Sequence, residues 1–477
     1  MMAEDNFFIG REEQQKAVQV HLNKNGASLV AILGRRRVGK TYFVKHILKD
    51  KAYFHFTGIQ HESKERLLKE FSVKINEAIE NKIFLNPPTD WYEAFRQLKN
   101  VLEANYGNKK KIIFLDEFPW MESHASNFLS AFEYFWNDWA VNQNILIIIC
   151  GSSTSWMIKN VINNKSGLHN RVSEYFKIQP FTLKETEQFL LKKYISLSRY
   201  DIVQLYMAMG GVPHYLDMIK KGESFAVFID RLFYDKDAPL NIEYNNLFKA
   251  LFTHYQNYEL VIETLSKKRK GLTRQEIIEA TGLSNGGGIT KIITELEECN
   301  FIRFQMPFSQ KNKDGLYILN DEYCLFYHHF IQKNVQKGQF ISIYSTPKVR
   351  SWMGLAFELL CIKHESNVKK ALGISGVYTE SCSFALKSTD ETPGFQIDMM
   401  IDRADQTINI CEMKFYNQQL TLTQKDADTL RERKARFQNY TKTKKNVMLT
   451  MITPFGISEN KHSLSVVDNS ILLDDLF

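Results

Sequence analysis

The stretch that decides the fold of this chain is Gly34-Arg35-Arg36-Arg37-Val38-Gly39-Lys40-Thr41. It has the spacing GxxxxGK[ST] and directly follows an apolar run, residues 28–33, which we predict to be a strand. Backbone N–H groups of a loop that leads from a strand into a helix N-terminus can surround a polyphosphate. We expect Lys40 to reach the terminal phosphates and Thr41 to bind Mg²⁺. The sequence therefore predicts binding of ATP or GTP.

Three consecutive arginines, Arg35 to Arg37, lie inside this loop. Phosphate binding alone does not explain them, because the backbone donors of the loop already bind phosphate. They could contact a partner or DNA, or their side chains could point to solvent.

The size and composition indicate a globular protein of about three domains, with 477 residues of which 44% are hydrophobic. The longest strongly apolar stretch, residues 145–150, is too short to span a bilayer, and the acidic start lacks the basic region of a signal peptide. We expect a cytoplasmic protein with no membrane partner. The scattered cysteines form no CxxC pair and are predicted to be buried thiols: Cys150, Cys299, Cys324, Cys361, Cys382 and Cys411.

The charge permits nucleic-acid binding without requiring it. Lys and Arg number 61 against 54 Asp and Glu, a formal net charge of +7. Positive charge is concentrated at residues 267–270 and 431–445. Phosphate backbones favour such clusters through counterion release. A solvated protein face is the alternative.

A predicted strand, residues 111–117, ends in two acids, Asp116 and Glu117. Downstream of a phosphate-binding loop, this arrangement is typical of nucleotide hydrolysis, with Asp116 holding Mg²⁺ and Glu117 polarising the attacking water. The alternative is a pair of ordinary polar residues at the end of a strand.

Two further side chains are candidates for the same reaction. Ser152 follows a predicted strand, residues 144–150, and could contact the γ-phosphate or the attacking water, although Ser is also an ordinary turn residue. Arg171 precedes a predicted strand, residues 174–179. It could act as an arginine finger, in cis or from a neighbouring subunit, or simply be solvated.

The first half of the chain resembles the archaeal-type AAA+ ATPases of prokaryotes. The resemblance rests on the phosphate loop, on Phe8-Ile9-Gly10-Arg11-Glu12 and on Gly210-Gly211-Val212-Pro213. It implies a parallel α/β sheet with a helical lid and adenine near Gly10 and Arg11. It also implies the following roles: phosphate and metal for Lys40 and Thr41, metal for Asp116, water activation for Glu117, sensing for Ser152 and the finger for Arg171. The lid lacks an obvious arginine for the γ-phosphate, so the resemblance does not imply a hexameric motor.

The middle of the chain is predicted to contain a winged helix-turn-helix. Residues 272–283 have helical apolar spacing, a Thr cap with an acid three residues on and a terminal glycine, and a second helix is predicted at 289–299. Two strands, 300–307 and 315–320, are predicted around a polar hairpin.

The predicted second helix is not basic, since Lys291 is its only cation against Glu295, Glu297 and Glu298. This composition is unfavourable for reading the major groove. DNA binding and internal docking or protein contact therefore stay alternatives.

Near the C-terminus, residues 395–401 and 408–415 are predicted to be adjacent strands. Glu412 and Lys414 should project to one face, and Asp398 on the paired strand can join them. Such a trio suits phosphodiester hydrolysis, with Asp398 and Glu412 holding Mg²⁺ and Lys414 orienting water. A buried ion pair is the alternative.

A predicted helix, residues 352–364, would present Glu358 to the same site. The order helix Glu, strand Asp, strand Glu-x-Lys resembles the PD-(D/E)xK nuclease superfamily, with Ile397 where that motif has proline. This resemblance implies a restriction-endonuclease-like α/β domain. The nuclease could be active or could have become a scaffold.

The predicted domains are an AAA+ core (1–180), a helical lid (181–240), a winged helix (241–335) and a nuclease-like domain (336–477). We predict an ATP-hydrolysing protein whose nucleotide state controls a Mg²⁺-dependent nuclease-like domain acting on DNA. The alternative is a nucleotide-gated switch, or a DNA- or protein-binding regulator, with an inactive nuclease fold. A homo-oligomer or a protein partner is possible.

Overall fold

The computed structural model describes residues 8–49, 51, 53–79, 85–123, 126–163, 167–168, 170–252, 254–268, 270–308, 315–332, 336–386 and 394–477. The chain forms two compact units, Met1–Pro180 and Phe181–Phe477. The finer division of the second unit at residues 240 and 335 stays a prediction. The predicted polar hairpin at 309–314 and residues Arg269 and His169 lie outside the described residues.

The first unit alternates strands and helices. Its helices are α1 (Glu12–Asn23), α2 (Lys40–Leu48), α3 (Lys64–Glu77), α4 (Trp91–Tyr106), α5 (Phe128–Asp138) and α6 (Thr154–Met157). Its strands are β1 (Ser28–Leu33), β2 (Phe54–Thr57), β3 (Lys111–Asp116), β4 (Ile145–Gly151) and β5 (Glu174–Lys177).

In the described part of this unit the strands form one parallel sheet, in the order β2-β3-β4-β1-β5. Every residue of β1, β3 and β4 is buried, because helices cover both faces of the sheet. The predicted α/β fold with a parallel sheet is confirmed. The carboxyl ends of β1, β3 and β4 meet at one edge, where α/β sheets bind their ligands.

The second unit begins with helices: α7 (Leu183–Lys192), α8 (Arg199–Met209), α9 (Pro213–Leu216), α10 (Phe225–Phe233), α11 (Pro239–Leu247), α12 (Tyr255–Ser266), α13 (Arg274–Thr281) and α14 (Gly287–Glu298). The antiparallel strands β6 (Ile302–Gln305) and β7 (Leu316–Leu319) follow. Thr273 caps α13 through a reciprocal bond with Glu276, and Gly282 ends the helix with φ 70°.

The remaining elements are α15 (Glu322–Phe326), α16 (Gln339–Ile343), α17 (Pro347–Lys363), α18 (Glu365–Ala371), β8 (Thr379–Leu386), β9 (Phe395–Arg403), β10 (Thr407–Met413), α19 (Gln424–Thr441), β11 (Asn446–Thr453), α20 (Lys461–Leu464) and β12 (Asn469–Leu472). Strands β8 to β12 form a sheet in sequence order within the described residues. Pairing is antiparallel from β8 to β10 and parallel from β10 to β12.

The basic stretch 431–445 lies mostly on α19, and its charges are largely paired. Arg433 bonds to Glu412 at 3.0 Å and Lys434 to Asp468 at 3.3 Å. The other pairs are Arg431 with Asp428, Arg436 with Glu432 and Lys445 with Asp402. These carboxylates neutralise much of the positive charge, which favours the alternative of a solvated protein face for this stretch.

All six cysteines are buried free thiols, as predicted. Among the described residues, no helix has both the length and the apolarity needed to cross a membrane.

The glycine pair before α9 allows a close backbone contact. Gly211 accepts a hydrogen bond from the N–H of Phe181 at 2.7 Å. A Cβ atom at residue 211 would lie 1.9 Å from the carbonyl oxygen of Phe181, so no larger residue fits without a backbone shift.

Gly211→Ala should therefore lower the free energy of unfolding of the second unit by about 1–3 kcal/mol, the usual cost of overpacking. Gly354→Ala is the control, because residue 354 lies inside α17 with open space around it, and alanine there should add up to about 1 kcal/mol. Urea unfolding followed by circular dichroism measures both. Equal stability of the two variants would contradict the steric argument.

Candidate functional site

The phosphate-binding loop connects β1 to α2 in a conformation that needs glycine. Gly34 has φ 145° and Gly39 has φ 88°. A Cβ at residue 34 would lie 2.4 Å from the carbonyl oxygen of Ile178. Val38 is fully buried and anchors the loop. The loop thus presents its backbone and the N-terminus of α2 at the ligand-binding edge of the sheet.

Lys40 and Thr41 begin α2. The Lys40 ammonium is buried and donates hydrogen bonds to the carbonyl oxygens of Gly34 at 2.8 Å and Arg35 at 3.0 Å. The Thr41 hydroxyl donates to a carboxylate oxygen of Asp116 at 2.7 Å. Burial raises the pKa of Asp116, while the bond from Thr41 opposes that rise. The two predicted metal ligands, Thr41 and Asp116, are therefore adjacent.

Glu117 follows β3 with a left-handed backbone, φ 47°. One of its carboxylate oxygens accepts hydrogen bonds from the Ser152 hydroxyl at 2.7 Å and from the Ser152 N–H at 3.2 Å. Ser152 is itself buried at the end of β4. Contact of Ser152 with a γ-phosphate stays a prediction. In the structure, its two hydrogen bonds fix the orientation of the Glu117 carboxylate.

The three arginines of the loop differ in their surroundings. Arg35 is only 4% exposed, so the alternative that all three side chains point to solvent is wrong for this residue. The Arg36 guanidinium lies 5.9 Å from the centre of the Trp120 ring, and Arg37 has φ 68°. The protein therefore buries the Arg35 side chain, and the Arg36 guanidinium contacts the Trp120 ring.

Gly10 and Arg11 both have positive φ, 65° and 63°, and lead into α1. The Arg11 guanidinium donates to the carbonyl oxygen of Val38 at 2.6 Å. Phe8 stacks on His46 of α2 with ring centres 4.3 Å apart. The N-terminal segment thus packs directly against the phosphate-binding loop and its helix.

Arg171 is exposed, and its N–H donates to the carbonyl oxygen of Leu168 at 3.0 Å, just before β5. Exposure leaves the guanidinium accessible to another subunit. Its assignment as an arginine finger stays a prediction.

The residues of this edge fit a nucleoside triphosphate with Mg²⁺. Lys40 supplies an ammonium, and the loop supplies N–H groups for phosphate oxygens. Thr41 and Asp116 supply the hard oxygen ligands that Mg²⁺ prefers. The adjacent Glu117 supplies a carboxylate beside the same edge.

The second set of predicted residues lies in the second unit, and the structure does not bring all of it together. Glu358 of α17 and Asp398 of β9 line one cavity, together with Gln396, whose amide donates to Asp398 at 2.6 Å. Glu412 does not line this cavity. Its carboxylate pairs with Lys414 at 2.7 Å and with Arg433 at 3.0 Å.

An irregularity in the sheet explains this separation. The pairing of β8 with β9 shifts register between Cys382 and Phe384. The side chains of Phe395 and Ile397 pack in the core against α19. Asp398 directly follows Ile397, so its side chain lies on the opposite face of the sheet. Glu412 instead lies two residues after Ile410 and four after Ile408, which pack in that same core, so its side chain lies on the core face.

Asp398 and Glu412 therefore face opposite sides of the sheet. The prediction that Asp398, Glu412 and Lys414 converge on one Mg²⁺ ion is wrong for this structure. In addition, no group of three or more His, Cys, Asp and Glu side chains among the described residues could hold a metal ion.

Sequence reasoning missed Arg433 as the partner of Glu412. The signal was available, because Leu430 and Phe437 are buried and Arg433 lies three and four residues from them on one helix face.

Comparisons with known proteins cover the first unit and extend into the second. Residues 8–219 match the model of an ATPase domain found predominantly in Archaea. An uncharacterised protein of Methanocaldococcus jannaschii is 27% identical over 356 residues, which cover 74% of this chain and 75% of that protein.

Two solved structures are similar in fold. The Walker-type ATPase of Pyrococcus abyssi is 17% identical, has a TM-score of 0.47 and is matched over 68% of this chain and 96% of its own. The ORC2 protein of Aeropyrum pernix, in ADPNP-ADP complexes, is 13% identical, has a TM-score of 0.43 and is matched over 76% and 98%.

Ser152→Ala should lower the turnover of ATP by about 10-fold, because Glu117 loses the hydrogen bond from the Ser152 hydroxyl and keeps only the weaker one from the backbone N–H. Nucleotide affinity should stay unchanged, since Ser152 bonds to Glu117 and not to the loop. Steady-state hydrolysis and equilibrium binding measure the two effects. Ser153→Ala is the control, and loss of turnover in both variants would contradict the specific role of Ser152.

Proposed function

We propose that this chain, which carries an archaeal-type ATPase domain over residues 8–219, is an ATP-hydrolysing switch whose nucleotide state controls the second unit. The hydrogen bond of 2.7 Å between Thr41 and Asp116 carries the ATPase part of the proposal. It supports the proposal because the Thr41 hydroxyl of α2 and the Asp116 carboxylate of β3, the two proposed metal ligands, lie side by side.

The proposed mechanism uses residues from three strands. The N–H groups of the loop and Lys40 would bind the phosphates, and Thr41 and Asp116 would hold Mg²⁺, whose positive charge would stabilise negative charge on the phosphate oxygens. Glu117 orients the attacking water and accepts its proton, while Ser152 fixes the Glu117 carboxylate. Adenine near Gly10 and Arg11 rests on the family resemblance.

The exposed Arg171 is the proposed arginine finger. Its accessibility favours action on a neighbouring copy of the chain, so that hydrolysis would depend on self-association.

Lys40→Ala should abolish ATP binding, because the loop loses its cation. Glu117→Gln should keep ATP binding within about twofold and slow hydrolysis by about 100-fold or more, since the amide accepts no proton. Binding is measured by calorimetry and hydrolysis by phosphate release. Equal loss of binding in both variants would contradict the assigned roles.

For the second unit we propose that α12 to α14 and the β6–β7 hairpin form a winged helix. We also propose that α17, β8 to β10, α19 and β11 form a nuclease-like core of the PD-(D/E)xK type. Element order supports both assignments: three helices precede a hairpin, and one helix precedes three antiparallel strands, a second helix and a parallel strand.

DNA is the proposed partner of the second unit. The element order of the proposed winged helix supports this partner. Two observations favour a domain that binds DNA without cutting it. Glu412 pairs with Lys414 and Arg433, and Asp398 lies on the other face of the sheet.

We expect linear, circular and single-stranded DNA to stay intact with Mg²⁺ or Mn²⁺, with and without ATP, because Asp398 and Glu412 do not share a site. Gel electrophoresis of incubated DNA measures this directly. Cleavage that Glu412→Ala and Asp398→Ala each abolish, while the exposed Glu432→Ala retains it, would establish the nuclease instead.

A further inference from the structure

A cavity of about 760 Å³ lies in the second unit, separate from the phosphate-binding loop. Its volume is in the range of sites for small ligands. Residues from α12, β6, β7, α17 and β9 line it. Glu412 and Lys414 are absent from the lining, so the cavity is distinct from the pair that the nuclease hypothesis uses.

The lining is strongly cationic at one side. Among the described residues, five cationic side chains and only two carboxylates contribute to it. The carboxylates are Glu358 and Asp398, and the cations are Lys267, Lys268, Lys270, Arg303 and Lys348. Lys268, Lys270 and Lys348 are exposed to solvent. Lys267 pairs with Glu263 at 2.7 Å. The excess of cations favours a ligand with more than one negative charge.

Two donors of the lining have no hydrogen-bond partner among the described residues: Nε1 of Trp352 and Nε of Arg303. Trp352 is fully buried. Orphaned buried donors are costly unless a ligand or water accepts from them. Burial lowers the pKa of Arg303 only to about 10, so its guanidinium stays charged at neutral pH. The N–H groups of Trp352 and Arg303 can therefore donate hydrogen bonds to an anionic or other acceptor group of a ligand in this cavity.

Part of the lining is apolar and could contact a planar ring. The side chains concerned are Leu265, Ile318, Leu319, Leu325, Phe330, Trp352, Leu355, Leu359 and Ile362. The carboxyl oxygens of Glu358 and Asp398 can accept hydrogen bonds, which suits the amino and hydroxyl groups of a base and ribose. His328 and His329 also line the cavity, and burial lowers the pKa of each, which favours their neutral forms.

We propose that this cavity is a second nucleotide site, which binds a free, phosphorylated nucleotide with its phosphates at the lysines and its base in the apolar part. The proposal goes beyond the ATPase function and does not depend on it. Binding there would act on the contact between the hairpin strand β6 and the helix α17, since both elements line the site. The second unit would thereby sense a nucleotide independently of the phosphate-binding loop.

The experiment is calorimetric titration of the full chain carrying Lys40→Ala, which removes the first site. The probes are ADP, inorganic pyrophosphate and a 5′-phosphorylated oligothymidylate. We expect one ADP per chain, binding at least 10-fold more tightly than pyrophosphate. Lys268→Glu with Lys270→Glu should weaken ADP binding at least 10-fold, whereas Lys220→Glu with Lys221→Glu, an exposed pair away from the cavity, should not.

Trp352→Phe provides a second variant, because it removes the orphaned N–H and keeps an aromatic ring. It should weaken ADP binding several-fold, while the variant, although less stable because Trp352 is fully buried, keeps the circular dichroism spectrum of the folded chain. Absence of ADP binding, or equal loss in both lysine pairs, would overturn the proposal. Binding of the oligonucleotide without binding of ADP would also overturn it and would assign the cavity to the end of a nucleic-acid strand.

Discussion

The parallel pairing of β1, β3 and β4 is the constraint on which the nucleotide site depends. All residues of these strands are buried, so their backbone groups can be satisfied only by neighbouring strands. Parallel pairing then places all three carboxyl ends at one edge. The loop, the acids after β3 and Ser152 after β4 meet there, and two short hydrogen bonds, from Thr41 to Asp116 and from Ser152 to Glu117, join them. The geometry of the site is thus a consequence of strand order.

Elements with local signals could be predicted from the sequence. The β1 strand has the predicted bounds because an apolar run meets a glycine loop, and α13 has its predicted cap at Thr273. The α19 helix was not recognised, because its charges obscure the apolar spacing of Ala427, Leu430 and Phe437. Arg433, Lys434 and Lys445 of the basic stretch 431–445 pair with Glu412, Asp468 and Asp402 on other elements, and which carboxylate each of them meets depends on the fold.

The same distinction applies to the two candidate sites. Lys40 and Thr41 belong to one motif, and Asp116 reaches them because strand ends coincide at a sheet edge. Asp398 and Glu412 lie on adjacent strands, and strict alternation would place both on one face. A register shift in the pairing of β9 with β8 breaks the alternation and turns Asp398 away. One extra residue in a strand has no signature in a hydrophobic pattern, so this part of the site could not be predicted.

These arrangements differ in preorganisation, which determines how directly each can support catalysis. Asp116 already accepts a hydrogen bond from Thr41, the other predicted metal ligand, so the proposed binding of Mg²⁺ there would need little rearrangement. Glu412 is engaged by two cations, Lys414 and Arg433, and faces away from Asp398. A metal ion shared by those acids would have to displace the cations and reverse the register of β9. The fold therefore builds a phosphoryl-transfer site in the first unit, and in the second it directs Asp398 into a cationic cavity instead.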